Sequence, residues 1–173
     1  EEKNAKLLIV GDGGFEEYKK LAKDLEIEKK VFFSGLKRNP FPYIALADIY
    51  VLTSYNEGFP NALVEAMTLG VPVIATNCLT GPAEILLQEY EGQPEIEDSI
   101  MAEYGVLIPN MSPEKNLQSS VIEEDEKRLA EAILKLWKNK ELYQKYVEKA
   151  KKRSAQFNYE TYVEQFKRMV DNS

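Results

Sequence analysis

Short aliphatic, β-branched runs alternate with stretches of helical spacing along the first two thirds of the chain. Leu7-Leu8-Ile9-Val10 predicts a buried strand, ended by the turn Gly11-Asp12-Gly13-Gly14. Tyr18, Leu21, Ala22 and Leu25 then fall on one face of a predicted helix running from Phe15 to Leu25. Val31-Phe32-Phe33 predicts a strand stopped by Gly35, and Tyr43 to Ala47 a short helix. Ile49-Tyr50-Val51-Leu52, Val73-Ile74-Ala75 and Gly105-Val106-Leu107-Ile108 predict further strands. Asn61 to Leu69 predicts a helix, with Gly70 as its C-terminal stop and Pro72 just beyond. Strands alternating with helices indicate a parallel, Rossmann-like sheet of about five strands covered on both faces. The tail changes period. Leu129, Ile133, Leu136 and Trp137, then Leu142, Tyr146, Val147 and Ala150, then Tyr159, Tyr162, Val163, Phe166 and Met169 predict three consecutive amphipathic helices.

Composition narrows the chemistry. The chain has 173 residues, no histidine and one cysteine, Cys78. A Ser-His-Asp hydrolase, a His-ligated zinc site and a His general base are excluded within it. There is no intrachain disulfide, which fits a reducing, cytoplasmic setting. The net charge of −7 argues against nucleic acid as the main partner. Sorted by segment, the acidity is uneven: residues 1–87 carry −3, 88–126 carry −10 and 127–173 carry +6. The 88–126 segment reads as an acidic surface insertion, since long insertions cost little when solvated. The basic run Lys149, Lys151, Lys152, Arg153 reads as a solvated helix face, or as an attraction to an anionic membrane leaflet.

The chemically informative stretch is Thr53-Ser54-Tyr55-Asn56-Glu57-Gly58-Phe59-Pro60-Asn61-Ala62-Leu63-Val64-Glu65-Ala66-Met67. It follows a predicted strand and opens a helix, the position at which open α/β sheets bind ligands. A helix start offers free N–H groups and positive dipole, which suit a diphosphate. Gly58 allows close backbone approach, Pro60 pre-sets φ, and Asn61 is placed to cap. Glu57 and Glu65 flank this anion site. They are plain surface acids near a helix start, or they accept hydrogen bonds from hydroxyls on either side of a diphosphate. The second alternative describes a nucleotide-sugar.

These residues carry a resemblance. Glu57 to Glu65 resembles the E-x7-E signature of retaining glycosyltransferases of the GT-B fold, family 4 (glycosyl transferases group 1). Leu8-Ile9-Val10-Gly11-Asp12-Gly13, Val31-Phe32-Phe33-Ser34-Gly35, Ala47-Asp48-Ile49-Tyr50-Val51-Leu52-Thr53-Ser54 and Gly70-Val71-Pro72-Val73 resemble other blocks of that family in order and spacing. Gly81-Pro82-Ala83-Glu84-Ile85-Leu86 resembles a variant frequent in bacterial enzymes that use UDP-hexoses or UDP-N-acetylhexosamines, and Phe157-Asn158-Tyr159-Glu160 the start of the final helix. The resemblance implies the donor-binding half of an enzyme of bacterial surface polysaccharide synthesis. Glu57 would contact the transferred sugar as the catalytic carboxylate. Gly58, Phe59, Pro60 and Asn61 would line its pocket. The N–H groups of Asn61, Ala62 and Leu63 would cradle the diphosphate, and Glu65 would bind the ribose. Phe32, Leu36 and Lys37 would border the base, although Phe32 and Leu36 read equally well as core. The donor would be a UDP-sugar, and the partner on the other side a glycan or lipid-linked acceptor, met through the missing N-terminal domain. No metal or other cofactor and no nucleic acid would be involved. Action would be cytoplasmic, with peripheral contact at the inner face of the plasma membrane. Alternatives are a sugar phosphorylase, an epimerase, or a nucleotide-binding module without transfer chemistry.

Three further expectations follow. Gly11-Asp12-Gly13-Gly14-Phe15-Glu16 is a tight turn near a nucleotide and not an NAD site, because Glu16 stands at the third glycine position. Asp48 and Cys78 have structural roles. The chain opens at Glu1, and the family's first strand, which carries an Arg and a Lys, has no counterpart, nor has its acceptor domain. A piece of a two-domain enzyme is expected, inactive alone and weak in donor binding. Its sheet would either lack a middle strand or close by pairing Leu7–Val10 with Ile49–Leu52 or with a partner chain.

Overall fold

The computed structural model describes residues 4–114 and 116–171. Its first half alternates β1 (Leu7–Ile9), α1 (Glu16–Asp24), β2 (Val31–Phe33), α2 (Phe41–Ile44), β3 (Tyr50–Leu52), α3 (Asn61–Thr68), β4 (Val73–Thr76) and α4 (Pro82–Leu86). Then come β5 (Ile100–Met101), β6 (Val106–Ile108), α5 (Glu124–Lys138), α6 (Lys140–Ser154) and α7 (Tyr159–Asp171).

The main sheet has four strands in the order β3-β4-β6-β5. β3, β4 and β6 are parallel, with Val51 opposite Ile74 and Ala75 opposite Leu107. Alternation along β4 and β6 proves that both faces are covered. Val73, Ala75 and Leu107 pack with Leu63, Ala66 and Met67 of α3 and with Ala83, Ile85 and Leu86 of α4. Ile74, Val106 and Ile108 pack with Ala132 and Leu136 of α5 and Tyr146 of α6 on the opposite face. Tyr146 is fully buried, and its hydroxyl donates to the Ala102 carbonyl at 2.9 Å, which satisfies the one polar atom it carries inward. Burial, and after it the negative Glu103, push that phenol far above its ordinary range.

β1 and β2 form a separate parallel pair. β1 does not pair with β3, so the break in the sheet falls where the expected strand order lacks its first strand. The physical consequence is exposure. Leu7 is 54%, Leu8 40% and Phe32 47% exposed, and among the described residues neither core cluster includes any residue from 4–40. The expectation that Leu7–Val10 is a buried strand is therefore corrected, and so is the expectation that Phe32 and Leu36 are core. A parallel strand is buried only when neighbours flank it and helices cover it.

The 88–126 segment is not a surface excursion throughout. β6 is wholly buried and β5 hairpins back onto it antiparallel, with Ile100 opposite Leu107. Only the acidic stretches around these strands are solvated. The three tail helices form as expected, but Tyr159 and Tyr162 are 78% and 64% exposed. The side chains of Phe166 and Met169 lie outside the described residues, as does Lys115. No helix among the described residues is long and apolar enough to cross a membrane.

Candidate functional site

The turn into α3 is set by a proline. Pro60 has φ −78° and ψ 81°, and the Asn61 N–H donates to the Phe59 carbonyl at 2.9 Å. That is an inverse γ-turn, and the fixed φ of proline suits its central position. α3 begins at Asn61 itself and has no side-chain cap, so Asn61 is the first helical residue and not its cap. The Leu63 N–H donates to the Pro60 carbonyl at 3.0 Å. Of the three amides expected to cradle an anion, Ala62 alone has no backbone acceptor among the described residues.

The loop before this turn is held from behind. The Thr80 hydroxyl donates to the Glu57 carbonyl, and the Thr76 hydroxyl to the Ser54 carbonyl at 2.5 Å. Gly81, with φ +92°, lies directly under the turn: a Cβ there would sit 2.4 Å from Pro60 Cδ and 3.0 Å from the Gly58 carbonyl oxygen. Only glycine permits both the backbone angle and the approach.

A second support comes from the tail. The Arg153 guanidinium donates to the carbonyls of Glu84 at 2.7 Å and Ile85 at 3.0 Å, satisfying orphan groups at the end of α4. It also lies over the rings of Tyr104 (5.1 Å) and Phe157 (4.9 Å). The Phe157 ring meets Phe59 edge-on, with centroids 5.6 Å apart. Lys149 pairs with Glu103, whose carboxyl it holds below the ordinary range. Two members of the basic run are thus structural parts and not a free solvated face.

Glu57 and Glu65 are both partly buried. The Tyr50 phenol is pushed up by burial first, then by Glu65 and by Glu57. The Cys78 thiol is pushed up by burial and by Glu57, and its Sγ–H donates to the Thr80 carbonyl at 3.6 Å, consistent with a structural role. The Asp48 backbone carbonyl accepts the Tyr143 hydroxyl at 2.9 Å, a long-range bond that ties this turn to α6. Gly58 and Phe59 are exposed beside these carboxylates.

Phe32, Leu36 and Lys37 make their own contacts. Phe32 is in β2, Leu36 is 76% exposed, and the Lys37 ammonium sits over the Tyr43 ring at 5.3 Å. No hydrogen bond or ring contact ties them to the 57–65 loop among the described residues. Arg153, Thr80 and Gly81 are site-building residues that sequence reasoning missed. The positive φ at Gly81 had a signal in the Gly-Pro pair, whereas Arg153 had none beyond its place in a basic run.

The structure thus combines a doubly covered α/β sheet with two carboxylates at a helix start that follows the carboxyl end of a strand. Comparison with known proteins shows the family. The family described as Glycosyl transferases group 1 matches residues 1–97, and the chain belongs to that family. An uncharacterized glycosyltransferase of Methanocaldococcus jannaschii is 32% identical over 98% of this chain and 43% of its own length. The lipopolysaccharide 1,6-galactosyltransferase of Escherichia coli K12 is 34% identical over 51% of this chain and 26% of its own. The chain thus spans less than half the length of either relative. Among solved structures, Anabaena HepE in complex with UDP superposes with a TM-score of 0.72 at 22% identity. It covers 98% of this chain and 41% of that one, and so supports the fold.

Proposed function

We propose that this chain is the donor-binding half of a retaining glycosyltransferase. The enzyme transfers a hexose or N-acetylhexosamine from a UDP-sugar to a glycan or lipid-linked acceptor, in bacterial polysaccharide synthesis. The observation that carries the reading is the open Ala62 N–H at the start of α3, with Glu57 in the loop before that helix and Glu65 one turn inside it. The lipopolysaccharide galactosyltransferase among the relatives and the UDP in the HepE structure support the donor and acceptor classes.

Each residue has a task. The Ala62 N–H and the α3 dipole meet the diphosphate first and stabilise the charge it gains on leaving. The N–H groups of Asn61 and Leu63, which donate to the Phe59 and Pro60 carbonyls, stand on either side of it. Glu65 accepts the ribose hydroxyls. Glu57 accepts hydroxyls of the transferred sugar, and Gly58, Phe59 and Pro60 form its wall. The acceptor hydroxyl attacks the anomeric carbon on the face the diphosphate leaves, the bond from that carbon to the phosphate oxygen breaks, and the hydroxyl proton passes to the departing phosphate oxygen, so the anomeric configuration is kept. The nucleotide-sugar is a substrate and no metal takes part. Where the acceptor is lipid-linked, the enzyme works at the inner face of the plasma membrane.

In the full-length enzyme, NMR of the product formed from a UDP-α-hexose is expected to show an α linkage, with a rate unchanged by a chelator. A β-linked product, or loss of transfer on chelation, contradicts the reading.

A further inference from the structure

A concavity of about 510 Å³ opens beside the 53–57 loop, and none of the donor roles uses it. It is the size of a ligand site. The carboxyl ends of three strands meet there: Tyr55 and Asn56 follow β3, Asn77 follows β4 and Asn110 follows β6. Gln93 and Glu95, from the acidic segment, supply the opposite wall.

The wall is built from carboxamides. Gln93 Nε2 donates to the Asn77 carbonyl (3.2 Å), Asn77 Oδ1 (2.7 Å) and the Cys78 carbonyl (3.0 Å). Asn77 Nδ2 donates to the Pro94 carbonyl at 2.7 Å, and Asn110 Nδ2 to the Tyr55 carbonyl at 3.1 Å. These bonds lock the acidic segment onto the strand ends. All three partners of Gln93 Nε2 are oxygens, so the orientation of that amide is determined. Its Oε1 is buried, shut off from the open space of the cleft, and has no partner among the described residues.

The remaining chemistry is that of a polyol site. Glu95 and Asn56 are exposed at the rim and offer acceptors and an amide for vicinal hydroxyls. Tyr55, 55% exposed, and Leu79, 68% exposed, offer apolar faces to the C–H side of a pyranose ring. No Lys or Arg lines the cleft among the described residues, so it lacks the charge that a phosphate demands.

We propose that this cleft binds a neutral hexopyranose unit of the acceptor glycan. Its placement on the acceptor side rests on the donor reading above, because Tyr55 and Asn56 run directly into Glu57. The binding of sugar itself does not rest on that reading. The acidic segment then has a function: it closes a saccharide subsite over the strand ends.

The test is NMR of the labelled 173-residue chain, following the side-chain amide signals of Asn56, Asn77, Gln93 and Asn110. The probes are methyl α-galactopyranoside, methyl N-acetyl-α-glucosaminide, inorganic phosphate and UDP, each titrated alone. At least one glycoside is expected to move these signals saturably, and phosphate and UDP to leave them in place. Glu95→Gln, an exposed change that preserves shape, is expected to weaken the glycoside about tenfold, the effect of losing one charged hydrogen bond. Signals that no glycoside moves, or that phosphate moves instead, overturn the proposal. UDP shifts confined to 58–65 with no glycoside response would sink the cleft and leave the donor reading standing. The converse pattern would sink the donor reading alone.

Discussion

Glu57→Gln in the full-length transferase is expected to lower kcat/KM about 100-fold, since a hydrogen bond to a charged group contributes about 1.5–3 kcal/mol and this one tightens as the sugar reacts. The change is nearly isosteric. The Glu57 backbone is held by Thr80 and not by its own side chain, so folding should not suffer. Glu65→Gln should behave differently. The ribose is bound equally in the ground state and the transition state, so its loss is expected to raise the donor KM about tenfold with kcat little changed. Steady-state kinetics on both variants separates the two roles. Wild-type kinetics in both would leave a nucleotide-binding module without transfer chemistry as the better reading, and would return the two acids to ordinary surface residues.

Gly81→Ala is expected to destabilise the fold by about 2–5 kcal/mol, summing the penalty for a side chain at positive φ with that for overpacking. The added methyl meets Pro60 Cδ at 2.4 Å and the Gly58 oxygen at 3.0 Å, both of which belong to the turn that presents Ala62. For a chain of this size the loss lowers Tm by roughly 4–20 °C. The distinctive result is the second one: below Tm, donor affinity should fall as well, because the clash displaces the γ-turn. Gly14→Ala, where the new methyl meets nothing within 4 Å, is the control and should change neither. A Gly81→Ala protein with wild-type Tm and donor affinity would show that α4 does not brace the loop.

The parts legible in the sequence were those governed by local chemistry. The Gly70 stop, with φ +74°, was visible because glycine alone takes positive φ readily, and the turn before α3 because proline fixes φ at Pro60. The three tail helices were visible because their apolar period is long. What escaped reading depends on distant contact. Asn61 looks like a cap until the γ-turn at Pro60 moves the helix start onto it. β5 is only two residues long and exists because β6 has a free edge beside it. Arg153 looks like one charge in a basic run, yet it joins α4 to Phe157 and, through that ring, to Phe59. The exposure of Leu7, Leu8 and Phe32 reflects unpaired neighbours, which a run of apolar letters cannot reveal.

The central claim is that the turn from Gly58 into α3 binds the nucleotide-diphosphate. Amide NMR of this chain titrated with millimolar UDP tests it most directly. The account predicts saturable shifts centred on Ala62 and its neighbours from Gly58 to Glu65, weakened by Glu65→Ala. Shifts centred outside that turn, or none at saturating UDP, would contradict it.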